Sequence, residues 1–253
     1  MEQTSQREIR AIDPTWSLAE IMARLAKALI GEGPAIALGT VSVDFAPQRV
    51  ALIINTSGST GSSKEVGISA SALLESARSA NKFIGAKPGQ TWSLLLPLTH
   101  IAGINILIRS MELGTAPFDL RDWNGKYPNV DFTAVVPTQL YKALNGDHEL
   151  LAHLQSAQSV LVGGAALSSE LRTAAENSGI KVVETYGMTE TCGGCIYDGV
   201  PLEGTEFEID ELGVISLASK SLASTYINDP EAWTERIRNG YFVTTDIGKL
   251  ENG

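Results

Sequence analysis

Apolar positions recur at helical spacing early in the chain: Ile21, Leu25 and Leu29 share one face, Ser17 and Glu20 precede them as a capping box, and Gly31 follows as a stop. This pattern predicts an amphipathic helix over residues 17–30 that packs against the body of the protein. Residues 32–49 show little periodicity and are punctuated by Pro34 and Pro47. From Val50 onward, short apolar runs alternate with helical stretches. Strands are predicted at 50–55, 92–97, 132–136, 159–162 and 181–184, with helices at about 69–82, 138–145 and 168–177. Such alternation predicts an α/β fold of largely parallel sheets with flanking helices. Beyond residue 200, the segments 206–210 and 214–217 flank Glu211, Leu212 and Gly213 as a β-hairpin. Tyr226, Trp233, Tyr241 and Phe242 are the expected aromatic core of a small C-terminal β subdomain. The chain thus divides into a lead-in (1–49), an α/β body (50–200) and a β subdomain (201–253), without internal repeats.

At 253 residues and 43% hydrophobic content the chain can bury a substantial core. A net charge of −10 and a pI near 4.8 argue against broad binding to nucleic acid or to an anionic membrane, while leaving room for a local anion pocket. No window approaches the ~18 consecutive apolar residues of a membrane span, and the N-terminus does not read as a secretory signal. A cytoplasmic protein is expected. Cys192 and Cys195 have the spacing of redox dithiols or of half a zinc site, but no second cysteine pair completes four ligands. Packing of small residues in a loop is the other reading.

The strand at 50–55 leads into Thr56, Ser57, Gly58, Ser59, Thr60, Gly61, Ser62, Ser63 and Lys64. Glycines let backbone N–H groups approach a phosphate, hydroxyls add neutral donors and a lysine supplies compact positive charge. A flexible linker has similar composition. The common phosphate loop is excluded, because Ser63 stands where its second glycine belongs and Glu65 follows Lys64 in place of a hydroxyl. A nucleophile elbow is excluded too, since Ser59 directly follows Gly58. Further along, Tyr186, Gly187, Met188, Thr189 and Glu190 place an aromatic plate, a hydroxyl and a carboxylate within five residues at a strand end. Alone, that run also reads as a capped helix start.

The run from Thr56 to Lys64 resembles the nucleotide loop of the adenylate-forming enzymes, with Ser63 in place of the usual proline. The same family is matched, in order, by Pro97 to Gly103, by Gly163, Gly164, Ala165, Ala166 and Leu167 (with Ala166 for proline), by Tyr186 to Glu190, and by Tyr241 to Asp246 (with Thr245 for glycine). The resemblance implies the large N-terminal domain of the adenylate-forming fold. It implies that the 56–64 loop with Lys64 holds the β- and γ-phosphates of ATP, that Thr189 bonds the α-phosphate and that Glu190 holds magnesium. It also implies that Tyr186 packs on adenine beside Gly163, Gly164 and Ala165, that Asp246 binds the ribose hydroxyls, and that His100 borders the acyl pocket. Glu184, Thr185 and Gly187 fall among the nucleotide contacts, and Gly187 and Gln139 among the acid contacts. Thr189, Glu190, Lys64 and His100 are the candidate catalytic residues.

The segments His100 to Ser110, Val136 to Leu140 and Thr185 to Cys195 are similar to those of the 2-succinylbenzoate–CoA ligases of menaquinone biosynthesis, a branch of that family. Succinylbenzoate keeps one carboxylate after adenylation. Arg109, nine residues after His100, could clamp it, or could be an ordinary helix-surface arginine. The implied activity is ATP-dependent activation of a carboxylic acid followed by transfer to coenzyme A. The other readings are a non-catalytic adenylate-binding module and a ligase for another aryl or fatty acid. The family continues past the Asp246 segment into a mobile domain with a catalytic lysine and part of the coenzyme A site. That lid and an outer N-terminal subdomain are expected to be absent here, leaving weak adenylation and little thioester formation.

Overall fold

In the computed structural model, which describes residues 5–56 and 63–250, Ser17 caps the helix Leu18–Leu29 as the sequence predicts. Its hydroxyl accepts from the Glu20 N–H at 3.3 Å, and the Glu20 carboxylate accepts from the Ser17 N–H at 2.9 Å. Ile21, Leu25 and Ala28 form the buried stripe, with Leu29 only half-buried. The other end of this helix is held by Arg7, from a strand Gln6–Ala11 that the sequence pattern does not reveal. Its guanidinium donates to the carbonyls of Ala28, Glu32, Gly33 and Val50 at 2.6 to 3.3 Å. A cation on the last carbonyls of a helix also complements the helix dipole.

Two compact units are present, Met1–Ala72 with Glu203–Gly253, and Leu73–Leu202. In the first, a six-stranded sheet runs in the order Thr225–Tyr226, Lys64–Ser69, Val50–Thr56, Ala35–Leu38, Gln6–Ala11 and Phe45–Pro47. Ala35–Leu38 is parallel to both its neighbours, and the remaining pairs are antiparallel. Two expectations are corrected here. The aperiodic stretch 32–49 contains two strands, one of them buried on both faces and so without alternation to read. Lys64 opens a strand instead of continuing a loop into the helix Ala70–Phe83. The predicted hairpin is present as Thr205–Ile209 and Val214–Ser219, in an antiparallel sheet completed by Tyr241–Ile247 and Ile237–Arg238. Tyr226, Trp233 and Phe242 pack with successive ring centroids 5.2 Å apart. Tyr241 is half-buried instead, its hydroxyl donating to Glu206 at 3.1 Å.

The second unit is built on a seven-stranded sheet, in the order Val200–Pro201, Gly193–Tyr197, Val182–Met188, Ser159–Val162, Phe132–Val135, Trp92–Leu94 and Phe118–Asp119. The last five are parallel. Leu140, Leu150, Leu154, Val160 and Val162 belong to the core that joins this sheet to its helices. The helix His148–Ser156, which the periodicity does not show, starts at an Asp147 cap and buries His153. The Pro128 carbonyl lies 3.0 Å from His153 Nδ1, so that nitrogen carries the proton. Ser93 Oγ lies 2.9 Å from Nε2.

Burial pushes the His153 pKa below its ordinary value of 6.5. The native state therefore binds this proton less readily than the unfolded chain, so stability falls as pH drops below 6.5. Between pH 7.5 and 5.5, chemical denaturation is expected to show the parent losing about 1 kcal/mol more than His153→Gln. Parallel pH dependences would mean that His153 takes up its proton in the fold as readily as in the unfolded chain.

Candidate functional site

Three adjacent parallel strands of the second unit, Trp92–Leu94, Phe132–Val135 and Ser159–Val162, end within a residue of one another, with Val135 paired to Val162, and the fourth, Val182–Met188, passes that level at Glu184 and runs four residues further. Most of the sequence-predicted residues of this unit emerge from these ends. Beyond Val162 come Gly163, half-buried, and Gly164 and Ala165, both exposed. The chain leaving Trp92–Leu94 reaches His100, which is exposed and precedes the helix Ile101–Glu112 without a side-chain capping bond. Gln139 follows Phe132–Val135, and both ends of its amide are used. Its Oε1 accepts from the Val136 N–H at 3.0 Å and its Nε2 donates to the Leu95 carbonyl at 3.1 Å, tying two of the strand exits together.

The strand expected to stop at 184 continues to Met188, which places Tyr186 and Gly187 on the sheet. The pairing with Gly193–Tyr197 slips between Tyr186 and Gly187 as a bulge. A Cβ at Gly187 would collide with the Gly193 carbonyl, so glycine is required there. Thr189 and Glu190, both half-buried, then sit in a single 3₁₀ turn, Thr189–Thr191. Thr191 Oγ1 accepts from the Met188 N–H at 2.9 Å and lies 2.7 Å from the Gly193 carbonyl. Burial pushes the Cys192 thiol up to about 12 and the Cys195 thiol up to about 11, so both stay protonated and unreactive at neutral pH. Among the described residues no cluster of three or more His, Cys, Asp or Glu side chains is placed to hold a metal.

Arg109 is 4% exposed, which rules out the helix-surface reading. Its Nη2 donates to the Tyr197 hydroxyl at 2.9 Å, its guanidinium lies over the Trp92 ring at 5.3 Å, and its Nε is buried without a partner among the described residues. Burial pushes the Tyr197 hydroxyl pKa up, against the opposing pull of Arg109, so the phenol stays neutral. The helix Ile101–Glu112 is apolar around most of its circumference, a sign in the sequence that it is enclosed on all sides. Glu184 meets Arg172, whose Nη1 donates to its carboxylate at 3.4 Å and to Asp198 at 2.9 Å. Arg172 carries no motif and was not expected.

In the first unit, Thr56 and Lys64 are paired residues of adjacent antiparallel strands. Ser57, Gly58, Ser59, Thr60 and Gly61 lie outside the described residues. Lys64 Nζ donates to the Tyr226 hydroxyl at 3.4 Å and lies 4.9 Å from the centre of its ring. Asn228 Nδ2 donates to the Ser63 carbonyl at 2.8 Å, and Asn228 Oδ1 accepts from the Glu65 N–H at 3.0 Å. Asn228 thereby fixes the residue on either side of Lys64, and Tyr226 holds Lys64 itself. They lie more than 160 residues away, so no spacing could have announced them. Asp246 is half-buried in Tyr241–Ile247, with its N–H donating to Thr244 Oγ1 at 3.0 Å.

Comparison with known proteins gives concordant results. A probable 2-succinylbenzoate–CoA ligase of Mycobacterium tuberculosis is 39% identical over 218 residues, covering 81% of this chain and 55% of the relative. A variant of Escherichia coli MenE, solved with bound OSB-AMS, superposes with a TM-score of 0.68 at 29% identity, over 85% of this chain and 48% of that one. The Bacillus subtilis O-succinylbenzoate coenzyme A synthetase (MenE), in complex with ATP and magnesium, gives a TM-score of 0.72 over 97% of this chain and 57% of that one. At 22% identity that likeness shows the fold. The chain spans about half the length of the curated relatives it matches. The family described as AMP-binding enzyme matches residues 4–227. The chain belongs to the AMP-binding enzyme family.

Proposed function

We propose that this chain binds ATP and a carboxylic acid of the 2-succinylbenzoate type and joins them into an acyl-adenylate, the first half of a coenzyme A ligation in menaquinone biosynthesis, carried out in the cytoplasm. The observation that carries this reading is that the C-terminal parts of four adjacent parallel strands bear, or lead directly to, His100, Gly163 to Ala165, and Tyr186 to Glu190. Parallel sheets bind their ligands beyond such ends. A carboxylate is a poor electrophile. One of its oxygens therefore attacks the α-phosphorus of ATP, a new P–O bond forms, the bond to the β-phosphate bridge breaks, and pyrophosphate departs.

Charge grows on the phosphate oxygens in that step. The Thr189 hydroxyl is proposed to donate to the α-phosphate, and Lys64 with the 56–61 residues to the β- and γ-phosphates. Tyr186, Glu184, Thr185 and the Gly163–Gly164–Ala165 backbone are assigned to adenine, and Asp246 to the ribose. Glu190 suits magnesium, which takes oxygen ligands and commonly binds through one carboxylate plus substrate phosphates, and its half-buried place in the turn leaves it within reach. When bound, that ion would supply charge neutralisation to the phosphates. His100, Gln139 and Gly187 are assigned to the acid, and coenzyme A, as its thiolate, is the acceptor that displaces AMP.

Acyl-adenylate formation, measured by pyrophosphate release with succinylbenzoate, benzoate and hexanoate, tests the reading. Preference for succinylbenzoate is expected. ATP binding without pyrophosphate release from any acid would make the chain a binding module. Arg109, with its unpartnered Nε, is the proposed contact for the second carboxylate. Arg109→Ala should lower kcat/KM for succinylbenzoate about tenfold or more relative to benzoate, the scale of a charge-assisted hydrogen bond. Equal losses on both acids would leave Arg109 the task of bridging Tyr197 and Trp92.

A further inference from the structure

The turn Thr189–Thr191 ends on Cys192, a non-glycine residue at φ 59° in the left-handed region. An L-residue is strained there and stays only where its surroundings over-determine it. Two buried side chains converge on its carbonyl. Asn105 Nδ2, from the helix Ile101–Glu112, donates at 2.8 Å, and Ser76 Oγ, from the helix Ala70–Phe83, donates at 2.9 Å. Asn105 is 1% exposed and Ser76 2%. A carbonyl only accepts, so the orientation of the Asn105 amide is fixed and its Oδ1 is left buried without a partner among the described residues. Packing alone would not select a polar side chain at the cost of an orphaned acceptor. The approach is close enough that a Cβ at Gly193 would collide with Asn105 Nδ2. The N–H of the same Cys192 donates to the Thr189 carbonyl at 3.0 Å, so the residue that is clamped is the one that closes the turn.

We propose that Asn105, with Ser76 as a second donor, is a positioning residue that sets the Thr189–Glu190 turn for phosphate chemistry. This inference rests on the function proposed above. Neither residue contacts the phosphates in this reading, and both act through the Cys192 carbonyl. In Asn105→Leu the amides of Met188 and Cys192 should exchange hydrogen at least tenfold faster, while those of Phe132–Val135 keep their protection. Acyl-adenylate formation should lose at least tenfold in kcat, with KM for the acid unchanged within twofold. Ser76→Ala, which keeps the Asn105 donor, should move both readouts the same way by about threefold, and it carries the test if Asn105→Leu does not fold. Unchanged exchange at Met188 and Cys192 overturns the clamp, and faster exchange with an unchanged kcat overturns the positioning role. A parent chain that forms no acyl-adenylate counts against the proposed function instead, and hydrogen exchange then decides the clamp by itself.

Discussion

Replacing Glu190 with glutamine should lower acyl-adenylate formation about a hundredfold or more and leave the thermal midpoint within about 2 °C of the parent. Glutamine keeps the shape of the side chain and its place in the 3₁₀ turn but removes the negative charge that a divalent cation needs. The turn itself is closed by Thr191 and Cys192 and should survive the change. The loss should fall mainly on kcat and on the magnesium requirement, while KM for the acid stays nearly constant. Titrating magnesium at saturating ATP checks this: the variant's half-saturation should shift upward at least tenfold. An unchanged magnesium dependence would move the ion's ligand elsewhere in the chain.

Arg7→Met should destabilise the chain by about 2–4 kcal/mol, read as a lower denaturant midpoint in equilibrium unfolding. Methionine fills much of the same volume, so the loss reports hydrogen bonds more than a cavity. Two of the carbonyls Arg7 serves, those of Ala28 and Val50, are bonded in the interior and would lose their donor without gaining water. Those of Glu32 and Gly33 lie nearer the surface and would be rehydrated, which keeps the figure below the sum of five bonds. Burial holds the Arg7 pKa below its ordinary value, yet no base at neutral pH removes this proton, so the effect should not vary between pH 6 and 8. A loss under about 1 kcal/mol would mean that water replaces the guanidinium.

The strands that carry the candidate residues were legible because buried parallel strands are short apolar runs, and Phe132–Val135 and Ser159–Val162 stand within a residue of their predicted limits. The strands Gln6–Ala11 and Lys64–Ser69 were not. The first mixes charge with apolar residues because Arg7 works inward, and the second begins with the lysine and glutamate of a presumed loop. His148–Ser156 escaped for a similar reason: a helix of nine residues with a buried histidine has too few apolar positions to show a period.

By itself, the sequence determined the alternating α/β character, the hairpin at 205–219, the capped helix at 18–29 and the family, since each depends on residues close together in the chain or on motifs of fixed spacing. Tertiary structure alone decided what those residues face. It turned Arg109 inward onto Tyr197 and Trp92, set Lys64 against Tyr226, and brought Ser76 and Asn105 to one carbonyl. The hydrogen-bonded partners among them are separated by 87 to 162 residues, and chain folding alone brings them together. A hydrogen bond needs its two atoms within about 3 Å, and no local pattern of hydrophobic and polar positions encodes a distance of that kind.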